Sequence, residues 1–152
     1  MIKKILPSTT KRVSNNTNKN VNLQIRNQTL SCLKKYVDSS DKVLSDRIKY
    51  LNFEWDIERI LEANAASVVL ISSILGLKKS QCIWFLVPGT IGFFLLQHAL
   101  QGWCPPLPVL RKLGARTSLE IENEKIVLKM LRGDFMHKTS HVDEMLAIAE
   151  KQ

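Results

Sequence analysis

Few of the features that mark an enzyme or a secreted domain occur in this sequence. Its six glycines and five prolines form no phosphate-cradling loop. Its three cysteines, Cys32, Cys82 and Cys104, are too few and too scattered for a disulfide framework. Cys82 and Cys104 lie at the two ends of one apolar run, so a helix would hold them roughly 33 Å apart and exclude a bridge. Among the three histidines, His137 and His141 stand at i, i+4 but lack further ligands, so neither a metal nor a cofactor is expected. The start, Met1 to Pro7, carries charge without an apolar run of roughly 7 to 15 residues behind it and does not read as a secretory signal. Acids are missing from the first 37 residues. Lys3, Lys4, Lys11, Arg12, Lys19, Arg26, Lys34 and Lys35 all precede the first acid, Asp38, and these eight equal the entire net charge of +8.

Hydrophobicity, by contrast, is concentrated in one place. Ala63 to Leu77 contains no ionisable residue and Cys82 to Gly102 contains only His98, with Lys78-Lys79-Ser80-Gln81 between them. At about 1.5 Å of rise per residue, each run together with its Glu62 or Trp103 flank just crosses a hydrocarbon layer of roughly 30 Å. The expected fold is therefore all-α, a transmembrane helical hairpin flanked by cytoplasmic amphipathic helices. The division reads as a basic, largely disordered tail over 1–40, an amphipathic helix over 41–61, the hairpin over 62–110 with spans of about 62–77 and 82–103, and a helical region over 111–152.

Residue types inside the spans suggest how they pack. Ala65, Ser72 and Gly76 share a face of the first span, and Gly89 and Gly92 supply small side chains on the second, where close backbone approach replaces the hydrophobic push that lipid cannot give. Pro88 is expected to kink the second span about two turns in. Trp84 and Trp103 fall near its ends, where indoles favour the headgroup level. Glu62, Asn64, Gln97, His98 and Gln101 fall at one end of an antiparallel hairpin and are expected to meet as a polar interhelical layer. Such a layer glues helices together; in an oligomer it could instead line a path. Basic residues near the spans, six at the open end (Arg47, Lys49, Arg59, Arg111, Lys112 and Arg116) against Lys78 and Lys79 in the loop, place both termini in the cytoplasm.

In the flanks, Leu44, Ile48, Leu51 and Trp55 recur as one helical stripe, and the mixed charge on the other faces favours packing against protein over lying on lipid. The helix carrying them is expected to run to Leu61 and into the membrane. Cys104-Pro105-Pro106-Leu107-Pro108 must turn the chain after the second span. Thr117-Ser118-Leu119-Glu120 has the capping-box form, starting a helix through Arg132 that Gly133 closes and Phe135 staples. A last short segment, Ser140 to Glu150, places Val142, Met145, Leu146 and Ala149 on one face.

The string from Ile91 to Gly114, IGFFLLQHALQGWCPPLPVLRKLG, resembles the two-helix YgaP-like transmembrane domain of bacterial inner-membrane proteins. The flanks, Trp55-Asp56-Ile57-Glu58-Arg59 and Arg116 through Phe135, resemble a longer uncharacterised branch built on that hairpin. The resemblance implies an inner-membrane protein that self-associates. In some relatives the hairpin anchors a rhodanese domain, which is not legible in these residues.

Three functional readings follow. The first is a non-enzymatic anchor or scaffold whose helices at about 42–60 and 118–132 build a homo-oligomer or recruit a protein partner. The second is a thiol- or sulfur-handling protein working through Cys104. The third is an oligomeric channel or transporter lined by Gln97, His98 and Gln101. The lipid bilayer is the expected partner throughout. Anionic lipid is a further candidate for the basic tail, whereas nucleic acid is not favoured, since Met1 to Lys35 lacks groove-reading and aromatic residues.

Overall fold

A computed structural model describes residues 6–79 and 82–135. Every regular element among them is helical: α1 (Arg12–Asn15), α2 (Lys19–Lys34), α3 (Asp41–Asn52), α4 (Ile57–Lys79), a 3-10 turn (Cys82–Phe85), α5 (Leu86–Gln101), α6 (Leu107–Lys112) and α7 (Ser118–Arg132). The segment Ser140 to Glu150, the pair His137 and His141, and Ser80 and Gln81 lie outside the described residues.

The hairpin consists of α4 on one side and the 3-10 turn with α5 on the other, and each side is long and apolar enough to cross a membrane. The 23 residues of α4 span about 34 Å at helical rise. The 16 residues of α5 would reach only ~24 Å, and the four residues of the 3-10 turn add about 8 Å, so the two together match α4. Pro88 falls in the first turn of α5 and not two turns into a continuous helix. There its missing N–H has no intrahelical bond to forfeit, so it starts the helix where a kink was expected.

Small residues bring α4 and the second span together near the loop end. Ser72 is buried, its hydroxyl donating to the Val69 carbonyl at 3.0 Å, and a Cβ at Gly76 would stand 3.1 Å from the Cβ of Trp84. Gly89 and Gly92 do not share this contact. A Cβ built on either meets nothing within 4 Å, so both face away from α4.

The remaining helices form a cap at the open end of the hairpin. Leu44, Ile48 and Leu51 of α3 pack with Ile121 and Leu128 of α7 and with Leu33 of α2. The expected stripe thus buries three of its four members within the same chain. Trp55 is instead half exposed, because α3 stops at Asn52 and a new helix begins at Ile57. Asp56 starts it, its carboxylate accepting the Arg59 N–H at 2.8 Å. The periodicity that ran through to Leu61 concealed this break.

The polar leader also departs from expectation. Residues 19–34 form a 16-residue helix, with Asn18 capping it through the N–H of Asn20 at 2.8 Å, where a disordered tail over 1–40 was expected. Composition argued for disorder because apolar residues here are sparse. The leader is held by a few buried anchors, Val13, Ile25 and Leu33, by the amides of Asn16 and Asn22 donating to backbone carbonyls, and by Thr29 accepting from Arg116.

The start and end of α7 match the capping-box reading. Thr117 accepts from the Glu120 N–H at 3.2 Å while Glu120 accepts from the Thr117 N–H at 2.8 Å. Gly133 closes the helix at φ +83°, with the Asp134 N–H donating to the Lys129 carbonyl at 3.1 Å. Phe135 is exposed and does not act as a staple.

Candidate functional site

The base of the hairpin is where sequence-distant elements converge. Ile57 and Leu61 of α4, Cys104 and Leu107 after α5, and Val13 of α1 form one small buried cluster, with Trp103 against it. The Ile57 N–H donates to the Arg116 carbonyl at 2.8 Å, so the first turn of α4 is fixed at the level of the segment joining α6 to α7.

Over the end of α5 lies α1, acting as a strap. Gly102 terminates α5 at φ +79°, and a Cβ there would come within 2.6 Å of the Arg12 backbone. The Asn16 amide donates to the Gln101 carbonyl at 2.7 Å, satisfying an orphan group at the helix end. Arg12 pairs with Glu58 at 2.7 Å, tying the strap to α4 as well.

This arrangement breaks up the expected polar layer. Of its five members only His98 is buried; Glu62, Asn64 and Gln101 are exposed and Gln97 is half-buried. The Asn64 amide donates to its own helix at the Ile60 carbonyl, 2.7 Å away. Among the described residues no hydrogen bond joins any of the five side chains to another. Both ring nitrogens of His98 are buried without a hydrogen-bond partner, and the charges facing it are Arg12, Glu58 and Glu62. Arg12 of the strap is the cation facing His98, and sequence reasoning missed the strap because only three residues, Arg12, Val13 and Asn16, hold it.

Between the two spans and the proline turn is an apolar cleft of about 500 Å³, lined by Leu61, Asn64, Ala65 and Val68 of α4, Ile91, Phe94 and Leu95 of α5, and Cys104, Pro105, Pro106 and Leu110. Cys104 is 5% exposed, and burial pushes its thiol above the ordinary range despite a backbone hydrogen bond from Leu107. That is the reverse of an activated nucleophile.

A chain of ion pairs, anchored on the buried Arg111 and Glu124, runs from this base into the cap. Arg111 of α6, 1% exposed, donates from two nitrogens to both Glu120 oxygens at 2.7 Å, and also to Asn22 at 2.9 Å, Thr17 at 3.2 Å and the Ala115 carbonyl at 2.8 Å. Burial alone would raise the Glu120 pKa, but Arg111 and the Thr117 N–H hold it below the usual carboxylate range. Glu124, also 1% exposed, accepts from Arg47 at 2.7 Å and from Arg116, which in turn pairs with Glu54 at 2.5 Å. One signal in the sequence was available: Glu124 lies on the same face of α7 as Ile121 and Leu128, an acid inside an apolar stripe.

The hairpin and its proline turn decide the comparison with known proteins, for residues 56–118 match the family model "Inner membrane protein YgaP-like, transmembrane domain". Over those residues the chain is similar to a YgaP-like transmembrane domain. The matched stretch begins at Asp56, the residue that caps α4, and ends at Ser118, where α7 begins. The YgaP-like region is thus the hairpin, the proline turn and α6, while α1, α2, α3 and nearly all of α7 lie outside it. No curated protein and no solved structure matches the chain. Among the described residues no group of three or more His, Cys, Asp or Glu side chains is placed to hold a metal ion.

Proposed function

We propose that this YgaP-like chain works without catalysis, as a hairpin anchor in the bacterial inner membrane that carries a rigid helical cap and self-associates within the bilayer. The observation that carries the reading is the outward face of α5. Gly89 and Gly92 have no neighbour for a side chain to meet, and Phe93, Leu96 and Leu100 on the same side are exposed. In lipid, small residues flanked by large apolar ones are what a second helix packs against. The stripes of α3 and α7, by contrast, are occupied by each other, so a protein partner recruited to the cap would need other surfaces.

Both termini are assigned to the cytoplasm on the excess of bases at the cap end over Lys78 and Lys79. Crosslinking in native membranes followed by mass measurement tests the assembly. A homo-oligomer that Gly92→Leu weakens is expected; a chain that crosslinks only to unrelated proteins, or to nothing, overturns self-association.

The thiol reading is disfavoured by the burial of Cys104, and a pore lined by Gln97, His98 and Gln101 by the burial of His98 and the strap bonded to the Gln101 carbonyl. Rapid alkylation of Cys104 at neutral pH would restore the first, and ion flux in reconstituted vesicles the second.

A further inference from the structure

Two exposed apolar edges belong to the segments that meet at the start of α4. One is the turn between α3 and α4, where Phe53 is 81% and Trp55 50% exposed. The other is the outer edge of α6, where Val109 is 59% exposed and Leu113 79%. Neither edge belongs to the cap's two cores. Their common level is fixed by the bond from Ile57 to Arg116 and by the packing of Ile57 and Leu61 on Cys104 and Leu107.

We infer that this rim, Phe53 and Trp55 before α4 and Val109 and Leu113 along α6, is sunk in the headgroup layer of the bilayer, so that the cap rests on the membrane and does not stand clear of it. The length of α4 supports this directly. At about 34 Å it exceeds a hydrocarbon core of roughly 30 Å, which puts its first turn, and the rim around it, among the headgroups. The rim is therefore continuous with the bilayer contact of the hairpin itself.

Charge agrees with an anionic surface. Arg59 stacks over the Trp55 ring at 4.7 Å, and Lys112 is exposed beside Leu113. The neighbouring acids are engaged within the chain: Glu54 is paired with Arg116, Glu58 with Arg12, and Asp56 caps α4. Glu62 is exposed a helical turn further along α4 and sets the limit of depth, since sinking the rim further would carry its carboxylate into hydrocarbon. Aromatic rings and basic side chains at this depth are what interfaces select.

The test uses full-length protein in vesicles of phosphatidylethanolamine and phosphatidylglycerol, with Trp84→Phe and Trp103→Phe leaving Trp55 as the single tryptophan. Lipids brominated high on the acyl chain are expected to quench Trp55 at least several-fold more effectively than lipids brominated at the chain end, with aqueous iodide having little effect. Quenching by iodide and not by lipid would place the rim in water, and protection from both would place it against protein; either overturns the inference. Because Trp103 packs on the buried cluster, a second variant keeps every tryptophan: Phe53→p-benzoylphenylalanine, irradiated in the same vesicles. A covalent lipid adduct is expected, and its absence, or an adduct with protein alone, contradicts the inference.

Discussion

At the scale of single residues the stability of the cap rests on ion pairs anchored by two fully buried groups, the Arg111 guanidinium and the Glu124 carboxylate. Arg111→Ala leaves Glu120 without its bidentate partner and Asn22 and Thr17 without a donor, and removing one member of a buried pair costs about 3–5 kcal/mol. Thermal or denaturant unfolding in detergent should show a loss of that order, whereas Lys125→Ala, which removes the partly exposed pair with Glu122, should change little. Glu120 also makes the cap acid-sensitive. Its pKa is depressed in the folded state, so its contribution is fully present above the unfolded carboxylate value and is lost as pH falls through the folded one. A pH titration of unfolding should therefore show stability falling below about pH 4.5, and Glu120→Gln should flatten that slope. For thiols the order of reactivity is set by burial. In a Cys82→Ser background, maleimide should label the partly exposed Cys32 well before Cys104, and equal rates would contradict the buried, high-pKa environment of Cys104.

At the scale of elements, the strap α1 and the helix α2 are what the hairpin reading could not supply. Deleting residues 1–40 should leave insertion intact, because α4 and α5 carry the apolar length, but should destabilise the cap by removing Leu33 from one core and Val13 from the other. Insertion measured by alkaline extraction and cap integrity measured by limited proteolysis separate the two outcomes. Gly102→Ala tests the strap alone. The left-handed backbone costs a non-glycine residue about 1–2 kcal/mol, and the new Cβ meets the Arg12 backbone, so proteolysis near Arg12 should accelerate. What the sequence made legible were elements with strong periodicity or a local signal: the two apolar spans, the stripe of Leu44, Ile48 and Leu51, and the capping box at Thr117. It hid elements held by specific bonds. A helix secured by Asn16 on a carbonyl and by Val13 in a pocket looks, by composition, like a solvated tail. The expected polar layer failed for a related reason, since spacing gives the level of Glu62, Asn64 and His98 along a helix but not which element covers each of them.

At the scale of the whole molecule, the protein divides its solvents between two ends. The YgaP-like hairpin exposes Val68, Leu70, Ile71, Ile74, Phe93 and Leu96, a surface that water would penalise, while the cap folds its charged groups into internal pairs. Everything inferred about packing, depth and assembly depends on a bilayer surrounding α4 and α5. Alkaline carbonate extraction of native membranes, followed by ultracentrifugation, measures this directly. The chain is expected to stay in the pellet and to be released only by detergent; recovery in the supernatant as a monodisperse, detergent-free protein would contradict a bilayer-spanning hairpin.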